Sequence, residues 1–167
     1  NKTNMIKNKN IWLGFALMIG ISSACYAHQY SIGVLSIIKP HLRETPKNAT
    51  VAGGYLSIKN NGDSPEVLLN ATSSISETVE IHEMTLEKEI MKMRQVPEGL
   101  VIGVNQILEL KAGGFHLMFF GLNKEIKQGD THKIILNFKN AGEVTVPFKV
   151  WEPLHASHHN KNMDHHH

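Results

Sequence analysis

Thiols are almost missing from this chain. Its 167 residues contain one cysteine, Cys25, so everything downstream must fold without a disulfide. Any metal site there must also be built without thiolate. That excludes Cys-type zinc sites and the cysteine ligand of blue copper. Charge of one sign is lacking too. Seventeen Lys and Arg against fifteen Asp and Glu leave a formal charge of +2, with no basic stripe interleaved with aromatics. Nucleic acid is therefore excluded as a partner. The most apolar run, Ile11 to Ile21, is too short to cross a hydrocarbon layer of ~30 Å comfortably. No segment carries the apolar periodicity of an amphipathic helix of three turns.

What is present begins with an export signal. Lys2, Lys7 and Lys9 precede the apolar run, and Ser22-Ser23-Ala24-Cys25-Tyr26-Ala27 follows it. A basic region, a short apolar core and small residues are the pattern of a secretory signal peptide. Residues 1–27 are predicted to be that peptide, with cleavage after Ala27, a periplasmic product and no stable membrane insertion after cleavage. Lipid attachment at Cys25 is a second variant, for which Ser22-Ser23-Ala24 lacks a leucine.

The predicted folded domain spans residues 28–153. Its pattern is short and strand-like throughout. Strands are expected at Tyr30–Lys39, Val51–Asn60, Glu66–Ala71, Thr78–Met84, Ile90–Gln95, Leu100–Val104, Gln106–Lys111, Phe115–Leu122, His132–Phe138 and Glu143–Val150. Turn clusters such as Asn60-Asn61-Gly62-Asp63, Pro97-Glu98-Gly99 and Asn140-Ala141-Gly142 separate many of them. Many short strands at close spacing predict a single all-β sandwich or barrel. Past Trp151-Glu152-Pro153 the composition changes. Residues 155–167 hold six of the eleven histidines with no apolar pattern, which reads as a His/Met-rich tail over 154–167.

The chemistry concentrates between residues 82 and 118. Met84, Met91, Met93 and Met118 lie there with His82 and His116. Thioether is a soft, neutral ligand and imidazole is borderline. The combination suits Cu(I) and poorly suits Mg(II), Ca(II) or Zn(II). His116 and Met118 are two apart, so on a strand they leave one face, while Phe115, Leu117 and Phe119 leave the other. His82 and Met84 have the same relation, as do Met91 and Met93. Core filling is the ordinary use of a methionine. At the spacing of the family motif set out next, His82, Met93, His116 and Met118 are instead read as ligands, and Met84 and Met91 as neighbours that shield the site. His41 and His132 are read as ordinary surface or hydrogen-bonded histidines.

These residues resemble the periplasmic copper chaperone family called PCuA(C). Its motif is His, ten residues, Met, about twenty-one residues, then His-x-Met. Here ten residues separate His82 from Met93 and twenty-two separate Met93 from His116. The extra residue is expected in a turn near Glu98-Gly99 or Val104-Asn105. Ala52-Gly53-Gly54-Tyr55-Leu56, Gly121-Leu122 and Ala141-Gly142-Glu143-Val144 are further landmarks. His41 stands where the family commonly has Trp. The resemblance implies a cupredoxin-like Greek-key β-sandwich with one exposed Cu(I) site. It also implies delivery of copper to the binuclear centre of cytochrome c oxidase subunit II, beside a Sco-type protein. No catalytic residues are expected.

Two other functions are carried forward. One is a periplasmic copper buffer whose His-rich tail takes Cu(II). The other is a copper-dependent enzyme that would use His28 as a new N-terminus.

Overall fold

The computed structural model describes residues 29–151, so the expected signal peptide, residues 1–27, and the expected tail, residues 154–167, lie outside the described residues. Eleven strands follow one another: β1 Gln29–Ile32, β2 Leu35–Arg43, β3 Val51–Asn60, β4 Glu66–Ser73, β5 Ser76–Glu87, β6 Ile90–Gln95, β7 Leu100–Ile102, β8 Ile107–Leu110, β9 Phe115–Leu122, β10 Thr131–Phe138 and β11 Gly142–Trp151. The described residues contain no helix. The expected all-β, cupredoxin-like class is the one observed.

The strands form one continuous ladder in the order β6-β5-β9-β3-β2-β11-β10-β4-β7, with β1 added on β2 and β8 on β3. Every pairing is antiparallel except β11 with β2, which is parallel. Strand alternation decides what the ladder buries. Along β3, Ala52, Gly54, Leu56, Ile58 and Asn60 point inward and are buried, while the residues between them are not. β9 contributes Leu117 and Phe119, β10 Ile134, Leu136 and Phe138, and β11 Val146, Phe148 and Val150. They meet in a single core whose largest fully buried side chains are Phe119, Phe138 and Phe148. Burying each such side chain stabilises the fold by about 1.5–3 kcal/mol.

Asn60 is the most deeply buried of the polar residues. Asn60 Nδ2 donates to the carbonyls of Ser64 (2.8 Å) and Ile102 (3.0 Å), and its Oδ1 accepts from the Gly62 amide at 2.9 Å. The Asn60–Asp63 turn is thus locked from inside.

The expected strand Tyr30–Lys39 is two strands. The chain turns at Gly33-Val34, with Gly33 at a φ of 57°, and β1 folds back on β2, pairing Ile32 with Leu35. β2 also runs on through Pro40 to Arg43. Proline has no amide to donate. The β2–β3 register shifts between Ile38 and His41, and Lys39 takes a φ of 49°. This bulge absorbs the proline without ending the strand.

Candidate metal site

The site face is the outer side of the β6-β5-β9-β3-β2 part of the ladder. β9 and β5 pair His116 with His82, Met118 with Glu80 and Phe120 with Thr78. β5 and β6 pair His82 with Gln95 and Met84 with Met93. Side chains directly opposite have Cβ atoms about 4.5–5.5 Å apart, and diagonal neighbours lie about 7–8 Å apart at most. Met93 and Met118 are the two diagonal neighbours that flank His82. The structure therefore gathers all four expected residues on one face, around the β5–β9 pair. The site rests on regular strands rather than on loops.

The histidines sit deep and the methionines shallow. His82 is 8% and His116 6% exposed, whereas Met93 is 46% exposed. The two imidazole centroids are 5.9 Å apart, a spacing compatible with two metal–nitrogen bonds of about 2 Å to one ion. Each ring is held through one nitrogen, and the partner identifies the other. His116 Nδ1 donates to the Gly114 carbonyl at 3.0 Å, which leaves the Nε2 lone pair free. His82 Nε2 donates to the Glu80 carboxylate at 2.6 Å, which leaves Nδ1 as the lone-pair atom. That Nδ1 is buried and has no hydrogen-bond partner. A buried, orphaned acceptor is costly unless something ligates it. Carboxylate–histidine contacts of the Glu80–His82 kind fix ring orientation at metal sites. The donor set, two imidazoles and two thioethers without a thiolate, fits a soft monovalent ion.

Around the four residues lies a row of rings. Tyr55 is 6.5 Å from His116, His41 is 5.4 Å from Tyr55, and Trp151 stacks on His41 at 4.2 Å. Gly53 makes room for Tyr55: a Cβ there would stand 2.6 Å from the Tyr55 hydroxyl. His41, expected to be an ordinary hydrogen-bonded histidine, donates Nδ1–H to the Lys39 carbonyl at 2.8 Å. It is nonetheless only one ring away from the site. Burial, aided by the Arg43 charge and opposed by that carbonyl, holds its pKa below the usual histidine value. His132 lies away from the site, and burial lowers its pKa as well. Met84 and Met91, expected to shield the site, stand on its face along the β5–β6 hairpin. Glu80 does not stand out in the sequence. Its only signal is a carboxylate two residues before His82, which shares the face of a strand.

The described residues form a cupredoxin-like fold with a mixed imidazole–thioether face that contains no cysteine. A family model described as "Putative lipoprotein LpqE-like" matches residues 35–150, and the chain belongs to that family. A relative from Leifsonia xyli subsp. xyli, named "Putative lipoprotein Lxx21020", is 26% identical over 117 residues, 69% of each chain. Among solved structures, the copper-bound PCuAC domain from PmoF2 superposes with a TM-score of 0.64 at 25% identity, covering 75% of this chain and 99% of its own. The apo PCuAC domain from PmoF1 gives the same score and identity and is covered completely. The Cu(I) form of DR1885 from Deinococcus radiodurans shares the fold, with a TM-score of 0.58 at 22% identity over 80% of this chain and 87% of its own.

Proposed function

We propose that this protein is an exported copper carrier that holds one Cu(I) with His82, Met93, His116 and Met118. The observation that carries the reading is the orphaned Nδ1 of His82. It is a buried lone pair beside a second imidazole, on a face that also presents two thioethers. The copper-bound PmoF2 domain supports the choice of metal. Copper is cargo here rather than a catalyst. Cu(I) is indifferent to geometry, so a thiolate-free site on exposed strands can release it by stepwise ligand exchange, and the role is binding without turnover.

Chelator competition for Cu(I) tests the site. His116→Ala and Met118→Ala should each weaken binding on the order of 100-fold, since even residues that only support a ligand cost 10–100-fold. Parent-like affinity in both variants sinks the assignment.

The receiving centre proposed is the binuclear copper site of cytochrome c oxidase subunit II, with a Sco-type protein as co-worker. Mixing the Cu(I)-loaded protein with a soluble subunit II fragment checks this, and no transfer in the presence of the Sco-type protein counts against it. Lipoprotein-named relatives support export and bring lipid attachment at Cys25 forward beside simple cleavage after Ala27. Mass spectrometry of the mature N-terminus separates the two. It also removes the His28 enzyme reading if the chain does not begin there.

A second reading, copper storage, is favoured by the six histidines in residues 155–167, whose imidazoles suit Cu(II). Titration with and without those residues decides: one tight Cu(I) supports the carrier, several ions the store.

A further inference from the structure

The β5–β6 hairpin extends past the four-residue site, and its two faces differ sharply. One face carries charge. Arg94 pairs with Glu83 and Lys92 with Glu87, each at 2.6 Å. The other face carries Met84, Leu86, Met91 and Met93 with no ionisable group among them. Every residue of β6 is exposed. Met91 is 53% and Met93 46% exposed, so these thioethers are not filling a core, the usual reason to find methionine on a strand.

The register brings three of them together. Met84 lies directly opposite Met93, and Leu86 opposite Met91. Met91 and Met93 are two apart on one strand, and Met91 is the diagonal neighbour of Met84. The backbone around Met84 is fixed by its amide, which donates to the Gly114 carbonyl at 3.1 Å. At the tip, Lys88 and Glu89 both take positive φ, 49° and 66°. Paired left-handed residues of this kind belong to the tight hairpin turns that set strand register. Cβ separations of about 4.5–8 Å and three rotatable bonds per side chain let the three sulfurs close on one ion with bonds of about 2.3 Å.

We propose that Met84, Met91 and Met93 form a second, weaker Cu(I) site that shares Met93 with the first. The proposal rests on the reading of Met93 as a ligand in that first site. Three neutral thioethers without imidazole bind Cu(I) more loosely than a mixed set, and they reject hard cations. On the hairpin beyond His82, the carboxylates of Glu83 and Glu87 lie on the far face, paired with Arg94 and Lys92. Because Met93 belongs to both sites, an ion can step between them by exchanging ligands about a common sulfur. The outer site is then the place where copper enters and leaves.

The test uses the full chain with 13C-methyl-labelled methionine, titrated with Ag(I), a redox-silent probe of Cu(I) sites. The first equivalent should move the Met93 and Met118 methyl signals, and further Ag(I) should move Met84 and Met91. The double variant Met84→Leu/Met91→Leu, volume-conserving at one half-buried and one exposed position, should keep first-equivalent affinity and give up Cu(I) to a chelator several-fold more slowly. If Met84 and Met91 stay still at every Ag(I) load while Met93 and Met118 respond, the second site is overturned and the first survives. If Met93 is silent at the first equivalent, the four-ligand reading fails instead. An unchanged release rate in the double variant overturns the role in exchange.

Discussion

His82 and His116 face each other across β5 and β9, but different acceptors hold them. A backbone carbonyl holds His116, whereas a side chain, Glu80, holds His82. The second arrangement can be removed by mutation. In Glu80→Ala the His82 ring loses the contact that keeps its proton on Nε2, and Cu(I) affinity should drop by about 10–100-fold. Glu80→Gln keeps an acceptor and should recover part of the loss. The 15N NMR signals of His82 in the copper-free protein should show a fixed Nε2–H tautomer in the parent and a mixture in Glu80→Ala. A mixture already in the parent refutes the positioning role. At this scale the sequence was partly legible. The spacing of His116 and Met118 announces a shared strand face, because strands have period two. The juxtaposition of His116 with His82, thirty-four residues earlier, follows from β5–β9 pairing that no local pattern encodes. Glu80 depends on that same pairing.

Among the elements, β3, β6 and β9 have the bounds the alternation predicts: each is fenced by turn residues, and β3 and β9 are also lined on one side by core, whereas β6 is exposed throughout. In the sequence β1 and β2 look like one strand, because a single Gly33-Val34 reversal inside an Ile/Val-rich run leaves the composition unchanged. The Gly53-Gly54 pair shows why a local motif has meaning only in the packed ladder. Gly53 accommodates Tyr55 on the outer face. On the inner face, a Cβ on Gly54 would meet Phe119 at 2.7 Å and Leu42 at 3.2 Å. Gly54→Ala should therefore cost about 1–3 kcal/mol of stability by overpacking, measured by denaturant unfolding, and a neutral effect would show that Phe119 can yield.

Glu66 is the matching polar anchor. Its buried carboxylate, at the start of β4, accepts from the Val67 amide and from Asn140 N, Asn140 Nδ2 and Ala141 N in the β10–β11 turn. Burial alone would raise its pKa, but those hydrogen bonds outweigh burial and hold it below the usual carboxylate value. A lowered folded-state pKa means the unfolded chain binds its proton first as pH falls. Glu66 should thus stabilise the fold above the ordinary carboxylate range and lose that contribution as pH drops through its folded value. Glu66→Gln should cost about 1–3 kcal/mol at neutral pH and flatten the acid limb of the stability curve.

For the molecule as a whole, the acid response should start higher, with histidine. Burial lowers both His41 and His132 below 6.5. Between those values and 6.5 the unfolded chain takes up protons that the folded one refuses, so copper-free stability should fall on acidification through that window. His41→Phe, which keeps a ring for Trp151, and His132→Leu should each reduce the slope of stability against pH there. Slopes equal to the parent's would show that these rings are not protonated on unfolding. The overall class was legible from strand density and turn spacing. The strand order was not, because long-range pairings such as parallel β11 on β2 join segments far apart in the chain.

That parallel pairing also fixes where the last strand ends. β11 ends at Trp151, opposite Arg43, and its indole lies on His41, two rings from His116. His155 follows only four residues later, within at most ~14 Å of extended backbone. In the storage reading, a Cu(II) ion on those imidazoles is tethered to the domain, so its local concentration is set by the number of intervening residues rather than by the solution.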